Sequence, residues 1–232
     1  MVYVISDLHG YPLEKFKALL ETAGFSDDDE CYILGDVVDR GDDGARLLEW
    51  IMDQPNMIFI CGNHEMMMLE AKFVLDEITD ESIKGLDLDK MLALLHWQRN
   101  GGDATLKGLR ALGIDRAREI MEFVGDSSVY EEIEVNGKEY LLTHSGLANF
   151  SPDRPIWEYE VHELLWNRPT LDDKYFEDKI TIFGHTPTGY LSYAHNGKVL
   201  FTDTWIDIDT GASGGNPPTL LRLDDMKEFR IE

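Results

Sequence analysis

Basic residues are scarce in this chain. It carries 21 Lys and Arg against 45 Asp and Glu, a formal net charge of -24 at pH 7. Such a surface repels nucleic acid and anionic membranes at long range, which excludes both as bulk partners. Any phosphate chemistry must then rest on local positive charge. Long apolar runs are also missing: no stretch approaches the ~18 residues of a membrane-spanning helix. Polar Ser6-Asp7 interrupts the first apolar run too early for a secretory signal. Cysteine is limited to Cys31 and Cys61. Their places in two neighbouring predicted strands differ by roughly 10 Å along the strand direction, too far for a disulfide. Both read as core residues of a reduced, cytoplasmic protein.

What is present suits one domain. A chain of 232 residues with 43% hydrophobic residues can bury a real core, so a single domain over residues 1–232 is expected. Val2-Tyr3-Val4-Ile5, Cys31-Tyr32-Ile33-Leu34 and Met57-Ile58-Phe59-Ile60-Cys61 read as buried strands. Each is followed by a helical stripe, such as Phe16, Leu19, Leu20 and Ala23, or Leu47, Leu48, Ile51 and Met52. Three βα units in series predict parallel strands whose carboxyl ends share one edge of a sheet. The polar clusters at those ends are Ser6-Asp7-Leu8-His9-Gly10, Gly35-Asp36-Val37-Val38-Asp39-Arg40-Gly41 and Gly62-Asn63-His64-Glu65.

Residues 76–120 read as a polar helical insertion and a candidate substrate wall, with Leu86, Met91, Leu94, Leu95 and Trp97 on its apolar side. From Val129 the period changes to two, and Asn136-Gly137 marks a hairpin. The next strand delivers Thr143-His144-Ser145-Gly146, and Ile180-Thr181-Ile182-Phe183 delivers Gly184-His185-Thr186. Asn196-Gly197 reads as another hairpin, with short strands around 199–201, 205–208 and 219–223, so the C-terminal half is expected to be largely antiparallel. His96, His162 and His195 are assigned no chemistry.

Two motifs fail on inspection. His64-Glu65 would open a zincin helix only with a second histidine four residues on, and position 68 is Met. Gly211-Ala212-Ser213-Gly214-Gly215 matches the nucleophile elbow of serine hydrolases, but Asn216-Pro217-Pro218 forbids the helix that must follow, and no histidine lies downstream. It reads as a loop.

The strand ends together supply Asp7, His9, Asp36, Asp39, Arg40, Asn63, His64, His144 and His185. Mixed Asp/His/Asn donors without thiolate suit borderline divalent metals such as Mn, Fe or Zn. Two such sets sharing one carboxylate describe a two-metal site able to bind a phosphoryl group. These motifs, in this order, resemble the signature of the phosphoprotein phosphatase (PPP) family within the calcineurin-like metallophosphoesterases. Trp97, Asn100-Gly101-Gly102 and Thr105 are similar to its bacterial and bacteriophage-lambda subgroup.

That resemblance implies an α/β fold in which two mixed β-sheets pack as a central sandwich flanked by helices. It implies a first metal held by Asp7, His9 and Asp36, and a second by Asp36, Asn63, His144 and His185, with manganese expected ahead of iron or zinc. His64 would be the general acid, Asp39 would orient it, and Arg40 and Arg168 would grip phosphate oxygens. The nucleophile would be a metal-bridging hydroxide. The activity implied is a serine/threonine protein phosphatase, extending to tyrosine, acting on a phosphorylated protein or peptide. The alternative is a symmetrical diadenosine tetraphosphate hydrolase, and a third reading is a scaffold that has lost catalysis. Ser6 stands where that family usually has glycine.

Overall fold

The computed structural model describes residues 1–75 and 87–231. Three βα units open the chain: β1 (Val2–Ile5) and α1 (Leu13–Ala23), β2 (Glu30–Ile33) and α2 (Gly44–Met52), β3 (Met57–Phe59) and α3 (Asn63–Glu70). Helices α4 (Leu88–Arg99), α5 (Gly102–Leu112) and α6 (Ile114–Gly125) follow. Then come the hairpin β4 (Tyr130–Val135) and β5 (Lys138–Thr143), α7 (Val161–Leu165), β6 (Lys179–Phe183) and α8 (Thr188–Leu191). The chain ends in β7 (Leu200–Phe201), β8 (Trp205–Asp207), β9 (Leu220–Arg222) and β10 (Lys227–Phe229).

Among the described residues these strands form two five-stranded sheets, β10-β9-β1-β2-β3 and β4-β5-β6-β8-β7. In the first, β1 pairs parallel with β2 and β2 with β3, as the serial βα units predict. The chain's last two strands return to the free edge of β1, where Val4 pairs with Leu221. That long-range closure has no local sequence signal. The second sheet corrects the antiparallel expectation: β5, β6 and β8 are parallel, and only the edge strands β4 and β7 run the other way. The reason is the connections, which cross over through α7 and α8 rather than turning back. Asn196-Gly197 joins no hairpin; it follows a 3-10 turn over Tyr193–His195.

Alternation along the strands builds three apolar layers, because successive side chains leave opposite faces of a strand. Val4, Tyr32 and Leu34 from the first sheet meet Tyr140, Leu142, Ile182 and Ile206 from the second inside the sandwich. Tyr3, Ile5, Cys31 and Ile33 face outward under α1–α6. Leu141, Phe183 and Trp205 carry the outer face of the second sheet against Leu147, Ile156 and Tyr175. Each such large side chain removed from water contributes about 1.5–3 kcal/mol. Both cysteines are buried and unpaired; Cys61 lies just beyond β3, where its N–H bonds Ser128.

The insertion is helical over its described part, α4 to α6; residues 76–86, including Leu86, lie outside the described residues. Its apolar side is less buried than expected: Met91 and Leu95 are each 46% exposed, and of the four described residues on that side Trp97 alone is fully in the core.

Candidate active site

Six parallel strands, three in each sheet, end at one rim. Asp7 and His9 leave β1, Asp36 leaves β2, Asn63 and His64 follow β3, His144 follows β5 and His185 follows β6. Cross-links join the two rims directly: His144 Nδ1 donates to the Leu34 carbonyl at 2.7 Å, and His185 N–H donates to Asp7 Oδ2 at 2.9 Å. Asn63 and His64 lie in the first turn of α3 rather than in a loop, and the free His64 N–H there donates to Asp36 Oδ1 at 3.0 Å.

The backbone of this rim is strained. Among the described residues, nine non-glycine residues take left-handed φ, and six of them are Asp7, His9, Asp36, Asp39, Arg40 and His185. Such conformations persist only where surrounding structure enforces them, and they concentrate at functional sites. Glycine is required where the rims meet: a Cβ on Gly184 would collide with Asp7 Oδ2, and one on Gly62 with Asp36 Oδ1.

Glu65, a residue to which the sequence reading gave no role, enforces much of this geometry. It is fully buried. Its Oε2 accepts N–H groups from Asp36 (2.8 Å) and Gly62 (3.0 Å), and its Oε1 accepts from Val37 (2.9 Å) and Val38 (3.2 Å). One carboxylate thus ties the β2 loop to the start of α3. The signal was present in Gly-Asn-His-Glu, since an acid three residues into a helix reaches back to the first free amides.

His64 Nδ1 lies 2.6 Å from Asp39 Oδ2. Asp39 is completely buried. It also accepts Trp97 Nε1–H at 3.0 and 3.1 Å and the Thr105 hydroxyl at 2.7 Å, and it returns its own N–H to Thr105 at 2.8 Å. Arg40 N–H bonds the Gly101 carbonyl at 3.2 Å. The helical insertion therefore acts here as the holder of Asp39 and Arg40. Trp97→Phe keeps the ring and deletes the donor to a buried carboxylate, so it is expected to lower stability by about 1.5–3 kcal/mol. Urea unfolding checks this, and a loss under about 0.5 kcal/mol, the size of an ordinary surface change, would dismiss the contact as structurally idle.

Arg40 spans the two imidazoles: Nη1 donates to His9 Nε2 at 3.0 Å and Nη2 to His64 Nε2 at 3.1 Å. Because His9 Nδ1 faces the Val38 carbonyl at 3.1 Å, both rings take the tautomer with the proton on Nδ1. Arg168 approaches from the other side, with Nη1 at 3.3 Å from the Thr186 hydroxyl and 3.4 Å from the His185 carbonyl. Burial lowers His64's basicity, yet the Asp36 charge and the Asp39 hydrogen bond outweigh it and leave the imidazole above its ordinary pKa.

The remaining ligand atoms crowd one another. His144 Nε2, deprived of its proton by the Nδ1 bond, points at Asn63 Oδ1 (2.9 Å) and Asp36 Oδ1 (3.4 Å). Asp36 Oδ2 lies 3.7 Å from His9 Nε2 and 3.8 Å from His64 Nε2. Buried Asp7 Oδ1 and His185 Nε2 have no hydrogen-bond partner at all. Burial pushes the His9 and His185 imidazoles down, each to about 3, which keeps them neutral. Burial, then the nearby Asp209 and Asp36 charges, push Asp7 well above the usual carboxylate range. Converging lone pairs and crowded carboxylates fit cations. Two groups, His9/Asp36/His64 and Asp36/His144/His185, each bring ligand atoms within 4.8 Å of one another.

Asp209 was also missed by sequence reasoning. It follows β8 as the other site residues follow their strands, is buried, and caps the next turn by accepting the Gly211 N–H at 2.8 Å. The available signal was an acid, Asp209, directly after the short strand pattern Trp205 to Ile208. His96 is exposed, as expected of a residue without a role.

Comparison with known proteins agrees with this geometry. The family model for calcineurin-like phosphoesterases matches residues 1–207. Serine/threonine-protein phosphatase 1 of Salmonella typhimurium is 26% identical over 229 residues, covering 96% of this chain and 91% of that protein. The symmetrical bis(5'-nucleosyl)-tetraphosphatase of Wigglesworthia glossinidia brevipalpis is 27% identical over 188 residues, covering 73% of this chain and 65% of that protein. In fold, a protein serine/threonine phosphatase from Saccharomyces cerevisiae superposes with a TM-score of 0.57 at 15% identity, covering 100% of this chain and 80% of that one.

Proposed function

We propose that this chain, which belongs to the calcineurin-like phosphoesterase family, hydrolyses phosphomonoesters of serine and threonine in proteins. The observation that carries the substrate class is the site's inventory of cations. Arg40 and Arg168 are the guanidiniums at the rim of a protein whose net charge is -24. Two guanidiniums match a dianionic monoester, whereas a dinucleoside tetraphosphate brings a longer anionic chain into a repelling field.

Asp7, His9 and Asp36 would hold one metal ion, and Asp36, Asn63, His144 and His185 a second. Such a pair supplies Lewis-acid polarisation of the phosphoryl oxygens and lowers the pKa of the attacking water. The chain's own groups do the rest. Arg40 and Arg168 fix the phosphoryl oxygens by charge-assisted hydrogen bonds. With Arg40 turned to the phosphoryl oxygens, His64 Nε2 is free to take up a proton; His64 then delivers it to the departing alkoxide, while Asp39 holds Nδ1–H and stabilises the imidazolium form beforehand. Asp39 itself cannot swing, because Trp97 and Thr105 fill its remaining acceptor positions.

The second reading, hydrolysis of diadenosine tetraphosphate, is favoured by a relative of similar identity, 27% against 26%, named a symmetrical bis(5'-nucleosyl)-tetraphosphatase. Assays of a phosphoserine peptide and of diadenosine tetraphosphate, with manganese added and with chelator, separate the two. The expected result is a kcat/KM at least about tenfold higher for the peptide, abolished by chelator. Preference for the dinucleotide overturns the substrate assignment, and full activity in chelator overturns the metal-dependent mechanism.

A further inference from the structure

The contacts of Arg40 can be followed nitrogen by nitrogen. Its backbone is fixed: φ is left-handed at 67°, its N–H bonds Gly101, and Asp39 before it is gripped by Trp97 and Thr105. The place of the guanidinium is therefore set at the tip of the side chain. There it meets three acceptors, His9 Nε2 at 3.0 Å, His64 Nε2 at 3.1 Å and Ser213 Oγ at 2.9 Å. Two of the three have other work. His9 Nε2 is the ring nitrogen turned to a metal, and His64 Nε2 carries the transferable proton, so a guanidinium that grips phosphate gives both up. Ser213 is the acceptor that remains.

Ser213 is presented by a built turn. The Gly211–Gly215 segment, which fails as a nucleophile elbow, forms one 3-10 turn over Ala212–Gly214. The turn lies between two glycines of left-handed φ, 87° at Gly211 and 95° at Gly215, a conformation that side chains rarely adopt. Asp209 pins its start by accepting the Gly211 N–H at 2.8 Å. The Asn216 amide pins its end by donating to the Thr210 carbonyl at 2.8 Å, and the Thr210 hydroxyl donates to the Pro217 carbonyl at 2.9 Å. Arg168 has a matching partner, the Thr186 hydroxyl. Each rim guanidinium is thus held by a neutral hydroxyl, which fixes the group without cancelling its charge. In a chain with 45 acidic residues, a carboxylate in that place would spend the charge that phosphate needs.

We propose that Ser213 is a positioning residue of the phosphate seat. It holds Nη1 of Arg40 by one edge while the guanidinium turns from the two imidazoles to the phosphoryl oxygens. This rests on the reading of Arg40 as the group that grips phosphate. A free arginine side chain loses much rotamer freedom when it is fixed on a ligand. One anchor made beforehand leaves less to lose, so phosphate binds more tightly.

The test titrates inorganic phosphate calorimetrically into the manganese-loaded chain, as wild type and as Ser213→Ala, Ser213→Thr and Ser213→Asp. Ser213→Ala deletes one exposed hydrogen bond and is expected to weaken phosphate about three- to tenfold. Ser213→Thr keeps the hydroxyl and should restore the affinity to within about twofold of wild type. Ser213→Asp should weaken phosphate further than alanine does, because its carboxylate captures the guanidinium and repels the anion. On a phosphoserine peptide, Ser213→Ala should raise KM by the same factor, with kcat changed by less than about twofold. The urea midpoint should not move. A residue that merely shaped the turn would shift that midpoint and leave the phosphate affinity alone. Phosphate binding untouched by alanine, threonine as weak as alanine, or aspartate no weaker than alanine each overturns the proposal. Wild-type protein inert toward the peptide would sink the protein-phosphatase reading, yet the phosphate titration still decides the role of Ser213, since it needs no ester. Phosphate affinity unchanged by Arg40→Ala would overturn the role of Arg40 and this proposal with it.

Discussion

His64→Asn is expected to lower turnover of a phosphoserine peptide by about 10² to 10⁴, the usual contribution of a positioned acid. Bound metal should stay at wild-type levels. The loss should be smaller on 4-nitrophenyl phosphate, because an acidic phenol leaves as its anion with less need of a proton. Asparagine fits the place of the imidazole and keeps a donor toward Asp39, but it has no group that can release a proton. Metal analysis of the purified variant separates loss of the acid from loss of a ligand. That separation matters because His64 Nε2 also lies 3.8 Å from Asp36 Oδ2. Unchanged peptide turnover, or equal losses on both esters, would remove His64 from the role of acid; loss of metal with loss of activity would make it a ligand.

The second large effect concerns Glu65. Glu65→Gln preserves size but turns one acceptor end into a donor. The four N–H groups of Asp36, Val37, Val38 and Gly62 now bonded by the carboxylate would face a single amide oxygen and an NH₂ group. Two buried amides are then left unmatched against donors. Removing one side of a buried, charge-assisted network typically costs about 3–5 kcal/mol, which in a domain of this size lowers Tm by roughly 10 °C or more. Activity should fall as well, since Asp36 would lose the anchor of its strained backbone. Calorimetry reads the first effect and peptide hydrolysis the second. A stable, fully active Glu65→Gln protein would mean that the loop is held by something other than this carboxylate.

Much of the site was legible because its residues leave apolar strands in short, ordered motifs. Val2–Ile5 or Ile180–Phe183 can only be buried strands, and a parallel βα series can only bring their carboxyl ends to one edge. From that alone Asp7, His9, Asp36, Asn63 and His64 belong together; His144 and His185, which leave strands of the other sheet, joined them only through the family resemblance, and the fold brings all seven to one rim. The second sheet was misread as antiparallel because the apolar pattern of strands such as Ile180–Phe183 and Trp205–Asp207 says nothing about direction. Direction is set by what the connection does in space, and here it crosses over through α7 and α8.

That Trp97, Thr105 and Ser213 hold the site's charged groups was illegible for a related reason. Each acts through a contact spanning many residues: Trp97 lies 58 positions from Asp39, and Ser213 lies 173 from Arg40. By itself, the sequence determined the strand ends and the donor types they carry, since burial periodicity and side-chain chemistry are local properties. The tertiary structure alone decided what those donors lean on. Glu65 gathers four amides, the insertion grips Asp39, and the Gly211 turn meets the free side of Arg40. Such partners are chosen by closeness in space, and closeness between distant segments exists only once both sheets and the insertion have packed.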